Sequence, residues 1–200
     1  MVKIETPHGP ARAHLQAVDK PRGALVLGHG AGGGVRAPDL VAATKAANED
    51  GLSVALVEQP YRVAGRRSPA PAKQLDAAWT VVVARLRATE LAGLPLVVGG
   101  RSLGARVACR TVDETGGVAV LCLAFPLEPP RRTGKPRQSR LAELEAVDVP
   151  VLVVQGSRDP FGLPPPGRSR EVVTVPGDHG LKADVDAVAA AVRGWLPSVV

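Results

Sequence analysis

The sequence predicts an α/β fold with a mostly parallel central sheet and helices on both faces. Short continuous apolar runs recur at residues 24–27, 53–57, 96–98, 118–124 and 151–154, and runs without alternation suit strands covered on both faces. Stretches with helical apolar spacing separate many of them. Gly (22) and Pro (19) are abundant enough to supply a tight connection at most junctions.

Taken in order, residues 2–6 and 11–18 read as two short strands around the turn His8-Gly9-Pro10. The run 24–27 is the first buried strand and ends in a glycine-rich turn. Residues 39–50 follow as a helix stopped by Gly51, and 53–57 as the next strand. A loop over 60–71 leads to an amphipathic helix over 72–89. Residues 96–98 form a strand, 102–113 a helix and 118–124 a strand. Pro150 precedes the strand 151–154, 172–175 is the last strand, and a helix over 183–196 closes the chain. In that helix Val185, Val188, Ala189 and Val192 recur at helical spacing. Alternation of this kind places every strand-to-helix turn along one sheet edge, where ligands bind.

Two hundred residues, 45% of them hydrophobic, suit one domain spanning residues 1–200. Aromatic residues are only 2%, so the core is expected to be aliphatic. The net charge is +6, with Arg far outnumbering Lys. No zinc-finger spacing accompanies that charge, and five aromatic residues are too few for a stacking platform, so no nucleic-acid partner is expected. Cys109 and Cys122 fall in apolar stretches and read as buried, inert thiols. The N-terminal MVKIETPHGP lacks an apolar signal-peptide core, and no apolar run approaches the ~20 residues of a membrane span. A cytoplasmic protein with no membrane partner is the expectation.

After the strand 96–98 the chain reads Gly99-Gly100-Arg101-Ser102-Leu103-Gly104. This is G-x-S-x-G between a strand and a helix. A sharp turn there exposes the serine hydroxyl, and bulk two positions to either side would clash. The helix that follows aims its free N–H groups and positive dipole end at a developing oxyanion. Strand 151–154 leads into Gln155-Gly156-Ser157-Arg158-Asp159, and strand 172–175 into Pro176-Gly177-Asp178-His179. Ser102, Asp159 and His179 thus stand in loops on one sheet edge. A serine hydroxyl needs a neutral imidazole to remove its proton, and a carboxylate to hold that imidazole in the right tautomer. Asp178 is too close to His179 to bridge to it, Asp148 precedes its strand, and His8 and His14 lie in the N-terminal hairpin.

The turn Gly28-His29-Gly30-Ala31-Gly32-Gly33-Gly34 follows the first buried strand. It lets a backbone N–H, that of Ala31, join the N–H of Leu103 as a second oxyanion donor. Gly28, Gly30 and Gly33 also match G-x-G-x-x-G, with Glu58 where a ribose-binding acid would stand. A dinucleotide site leaves Ser102, Asp159 and His179 unexplained, so no cofactor and no metal are expected. Arg101 stands beside the serine, either to hold a substrate carboxylate or to form a salt bridge, with Glu58 as the candidate partner. The basic loop 131–137 reads as solvated, or as an attractor of anions.

The runs L-G-H-G-A-G-G-G, G-G-R-S-L-G-A-R, Q-G-S-R-D-P-F-G and G-D-H-G-L together resemble the α/β-hydrolase superfamily over essentially the whole chain. They look like a compact subgroup related to dienelactone hydrolase, with Ser102 where that enzyme carries cysteine. The resemblance implies an α/β-hydrolase fold, a Ser-Asp-His hydrolase and a small-molecule acyl substrate. Only residues 126–150 separate two successive strands where many relatives insert a cap, so no cap domain and an open site are expected. A non-enzymatic interaction scaffold on the same fold is the alternative.

Overall fold

The computed structural model describes residues 1–129 and 138–200. Its elements run β1 (Val2–Ile4), β2 (Ala11–Gln16), β3 (Gly23–Gly28), α1 (Pro38–Glu49), β4 (Leu52–Glu58), α2 (Pro60–Val63), α3 (Ala72–Ala88), β5 (Leu96–Arg101), α4 (Leu103–Thr115), β6 (Ala119–Leu123), α5 (Leu141–Glu145), β7 (Val151–Gly156), β8 (Arg170–Val175) and α6 (Val185–Trp195). The eight strands form one sheet in the order β1-β2-β4-β3-β5-β6-β7-β8. β1 and β2 pair antiparallel, as do β2 and β4. From β4 to β8 every pairing is parallel.

Except for Val118, exposed at the start of its run, the apolar runs are buried as their lack of alternation predicts, and β3, β6 and β7 have no exposed residue. Alternate side chains nonetheless enter two separate cores. Val26, Val98, Val120 and Val153 face a core closed by Trp79, Val83 and Leu86 of α3 and by Val107 and Val112 of α4. Leu25, Leu27, Val97, Leu121 and Val154 face a second core closed by Leu40 of α1 and Val188 and Val192 of α6. The period of two assigns these cores to opposite faces of the sheet. Both are largely Val, Leu and Ala, as the composition predicts, and the few aromatics go inside: Trp79, Tyr61 and Phe125 are fully buried.

The elements differ from expectation in three places. Strand β5 runs on through Gly99 and Gly100 to Arg101, three residues past the expected 96–98. A side chain at Gly99 would overlap the Leu121 carbonyl of β6, so glycine keeps the strand in the sheet. The segment 60–71 opens with α2, a single turn whose Pro60 is suited to a first helical position. Helix α5 has five residues, too few to show a period. The thiols of Cys109 and Cys122 are free and buried, with sulfurs 3.5 Å apart. Contact with Cys109 and burial push the Cys122 thiol well up, which keeps it protonated. The basic loop 131–137 lies outside the described residues.

Candidate active site

Ser102 sits between β5 and α4 with φ 52° and ψ −104°. A non-glycine residue at such an angle is strained and persists only when its surroundings hold it. Here its N–H donates to the Leu123 carbonyl of β6 at 2.8 Å, and its carbonyl accepts from the Arg106 N–H of α4 at 3.2 Å. Side chains at Gly100 or Gly104 would both run into the Gly28 carbonyl of β3. The two glycines therefore let β3, β5 and α4 close around the serine, the steric need that the motif predicts.

Asp159 follows β7 and His179 follows β8. The two loops are tied together: Ser157 N–H donates to the Val175 carbonyl at 2.9 Å and Arg158 N–H to the Gly177 carbonyl at 2.8 Å. His179 Nδ1 lies 2.8 Å from Asp159 Oδ2, and its Nε2 lies 2.9 Å from Ser102 Oγ. A carboxylate only accepts, so Nδ1 carries the proton and Nε2 is left to accept from the serine hydroxyl. The Asp159 side chain is 1% exposed. It also accepts from Gln155 Nε2 and from the Phe161 N–H, each at 2.9 Å. The Phe161 ring meets the imidazole edge-on, with centroids 4.4 Å apart. Asp178 instead accepts from the Gly180 N–H within its own loop.

The glycine turn after β3 is braced by residues the sequence did not single out for that task. His29 Nε2 accepts from the Gln59 N–H at 3.2 Å, which leaves Nδ1 to donate to the Gly30 carbonyl at 2.8 Å. Burial pulls the His29 pKa below the ordinary imidazole value, opposed by the Gly30 contact. Tyr61 Oη donates to the Ala31 carbonyl at 3.0 Å, and burial pushes its pKa up to about 12. Ala31 and Leu103 both border a cavity of about 400 Å³ that also contains Ser102 and His179.

Arg101 forms a salt bridge, but its partner is not Glu58. Its Nε lies 2.9 Å from Asp39 Oδ2 at the start of α1, and its Nη2 donates to the His179 carbonyl at 2.9 Å. Glu58 contacts His14 at 3.0 Å instead. In the sheet β3 stands between β4 and β5, so Glu58 and Arg101 end strands about 10 Å apart. Asp39 is fully buried. Burial raises its pKa, and the Arg101 charge works against that shift. Among the described residues no cluster of His, Cys, Asp or Glu is arranged to hold a metal ion, and no helix is long and apolar enough to cross a membrane.

A protein-family model described as an alpha/beta hydrolase domain matches residues 21–184, which contain all three side chains of the Ser102–His179–Asp159 chain. The chain belongs to the alpha/beta hydrolase family. Its fold is that of the family without a cap: among the described residues, α5 is the one helix between β6 and β7. An α/β serine hydrolase without lid from Xanthomonas campestris is similar, at 18% identity and a TM-score of 0.73, over 98% of this chain and 94% of that one. Dienelactone hydrolase from Anabaena variabilis is similar at 16% identity and TM-score 0.78, over 100% and 96%. Est1E from Butyrivibrio proteoclasticus, solved with ferulic acid bound, is similar at 17% and 0.76, over 100% and 99%. At these identities the likeness is one of fold. A search of curated proteins found no matching sequence.

Proposed function

We propose that this alpha/beta hydrolase is a serine hydrolase that cleaves a small ester or related acyl bond through an acyl-enzyme. The observation that carries the reading is the unbroken hydrogen-bonded line from Ser102 Oγ through the His179 imidazole to Asp159. Its tautomer is the one that general-base catalysis requires.

In this mechanism Ser102 Oγ attacks the substrate carbonyl carbon as its proton passes to His179 Nε2. The imidazolium so formed is stabilised by Asp159, whose carboxylate also accepts from Gln155 and Phe161. The tetrahedral oxyanion is held by the N–H groups of Ala31 and Leu103, which donate to no other acceptor among the described residues. The oxyanion then collapses, the C–O bond to the leaving group breaks, and His179 returns the proton to the departing alkoxide. Water repeats the sequence on the acyl-enzyme, releasing the carboxylic acid and restoring Ser102. Ferulic acid, found bound to Est1E, is a carboxylic acid of the product class expected here. The lack of a cap favours short acyl groups, because an open cavity does little to desolvate a long chain.

Hydrolysis of short 4-nitrophenyl esters tests this directly. Ser102→Ala or His179→Ala is expected to lower kcat by as much as ~10⁶, and Asp159→Asn by about 10⁴. A fluorophosphonate probe should label wild type on Ser102 and leave Ser102→Ala unmodified. Wild-type rates in Ser102→Ala would overturn the proposal, and an unlabelled wild type would favour an interaction scaffold.

A further inference from the structure

Three arginines, Arg101, Arg106 and Arg140, are among the residues lining the cavity beside Ser102. Two of them are already matched. Arg101 is paired with Asp39, and Arg106 with Glu143, its Nε donating to the carboxylate at 2.8 Å. Arg110, alongside, takes both oxygens of Asp76 at 2.9 and 2.6 Å. Arg140 differs: among the described residues it forms no ion pair. Its Nη1 donates to the Pro126 carbonyl at 2.9 Å, and its backbone N–H to the Leu127 carbonyl at 2.8 Å. Most of its five N–H donors are thus unspent, on a side chain already held in place. Burial and the like charges of Arg106 and Arg110 depress its pKa, with Glu143 offsetting only part. A guanidinium nonetheless keeps its proton, so among the described residues Arg140 is a cation at this cavity with no carboxylate partner of its own.

We propose, resting on the serine-hydrolase reading above, that Arg140 is a specificity residue that binds a carboxylate on the substrate, so that anionic acyl compounds are hydrolysed in preference to neutral ones. A single unmatched cation suits a monoanion. A phosphate dianion would leave a negative charge unbalanced in a half-buried cavity. The guanidinium fork matches a carboxylate's two oxygens, and Pro126 and Leu127 hold Arg140 before substrate arrives, which lowers the cost of ordering it on binding.

Two matched pairs of esters test the assignment. 4-Nitrophenyl succinate and its methyl-capped diester place the charge on the acyl side. The acetate esters of 4-hydroxybenzoate and of its methyl ester place it on the leaving group. In at least one pair the wild type should favour the anionic member by about tenfold or more in kcat/KM. Arg140→Gln should lower that ratio by a similar factor, chiefly through KM, Arg140→Lys should retain part of it, and raised salt should narrow it. A purely structural Arg140 would slow both members of a pair alike and leave the ratio unchanged. That result overturns the proposal, as does a wild type without preference. Calorimetry with phenylacetate reads the same site without turnover, and about tenfold weaker binding to Arg140→Gln is expected. Inorganic phosphate displacing phenylacetate at lower concentration than phenylacetate itself needs would overturn the carboxylate assignment. If no ester is cleaved and Ser102 resists the fluorophosphonate, the serine-hydrolase reading fails, while the calorimetric arm still decides Arg140.

Discussion

A methyl group added at Gly104 would collide with the Gly28 carbonyl, which is backbone and cannot turn aside. Gly104→Ala must therefore push α4 away from β3 and is expected to cost about 2 kcal/mol or more. At Gly33 nothing lies within 4 Å of the same methyl, so Gly33→Ala should leave stability unchanged or slightly raised. Thermal unfolding of the two variants makes the comparison, and equal melting temperatures would show that α4 and β3 can part at no cost. The strain at Ser102 belongs to this scale too. Its left-handed φ is sustained by one hydrogen bond to β6 and one from α4, so the exposed hydroxyl depends on three elements staying in register.

At the scale of elements, the loop after β3 depends on a neutral His29. The folded state binds a proton there less tightly than the unfolded chain does, because burial lowers the pKa. Its stabilising contribution is present above the ordinary imidazole value of about 6.5 and is lost as pH falls from there toward the lowered folded value. The imidazole cannot accept from Gln59 once both nitrogens carry protons. Urea midpoints measured from pH 7.5 down to 5 should fall, and His29→Gln should flatten that slope. An unchanged slope in the variant would remove His29 from this role. The positions of Ser102, Asp159 and His179 were legible because each follows a strand, buried for the first two and half-buried for β8, within a glycine-bearing turn that marks the strand's end. The partner of Arg101 was not. Asp39 opens a helix 62 positions earlier, and only the strand order shows that β3 separates Glu58 from Arg101. Gln155 and Phe161 stand in the Q-G-S-R-D-P-F-G run, but their contacts to Asp159 were not legible: a buried amide that reaches a carboxylate four residues on looks like any polar strand end. Arg140 lies in a stretch of low periodicity, and its significance rests on which neighbouring cations are already matched.

At the scale of the whole molecule, the sheet separates two cores that share no side chain. Val82→Ala beneath α3 and Val188→Ala beneath α6 should each cost about 1–3 kcal/mol. Their effects should add to within about 0.5 kcal/mol, because the sites lie on opposite faces with no common neighbour. Equilibrium urea unfolding of the single and double variants checks this, and a large deviation would mean that the sheet transmits strain between its faces. The alternating strands and helices and the parallel sheet could be read from apolar runs and spacing, since these depend on burial alone, whereas the missing cap was legible only through the family resemblance and the short stretch 126–150. One property of the sheet reaches beyond catalysis. Its two outer strands are β1, three residues long with Lys3 at its centre, and β8, which starts with Arg170 and Glu171. Neither margin offers a second chain a long, bare, apolar ribbon to extend. Crowded solutions of the folded protein should consequently resist fibrillar association.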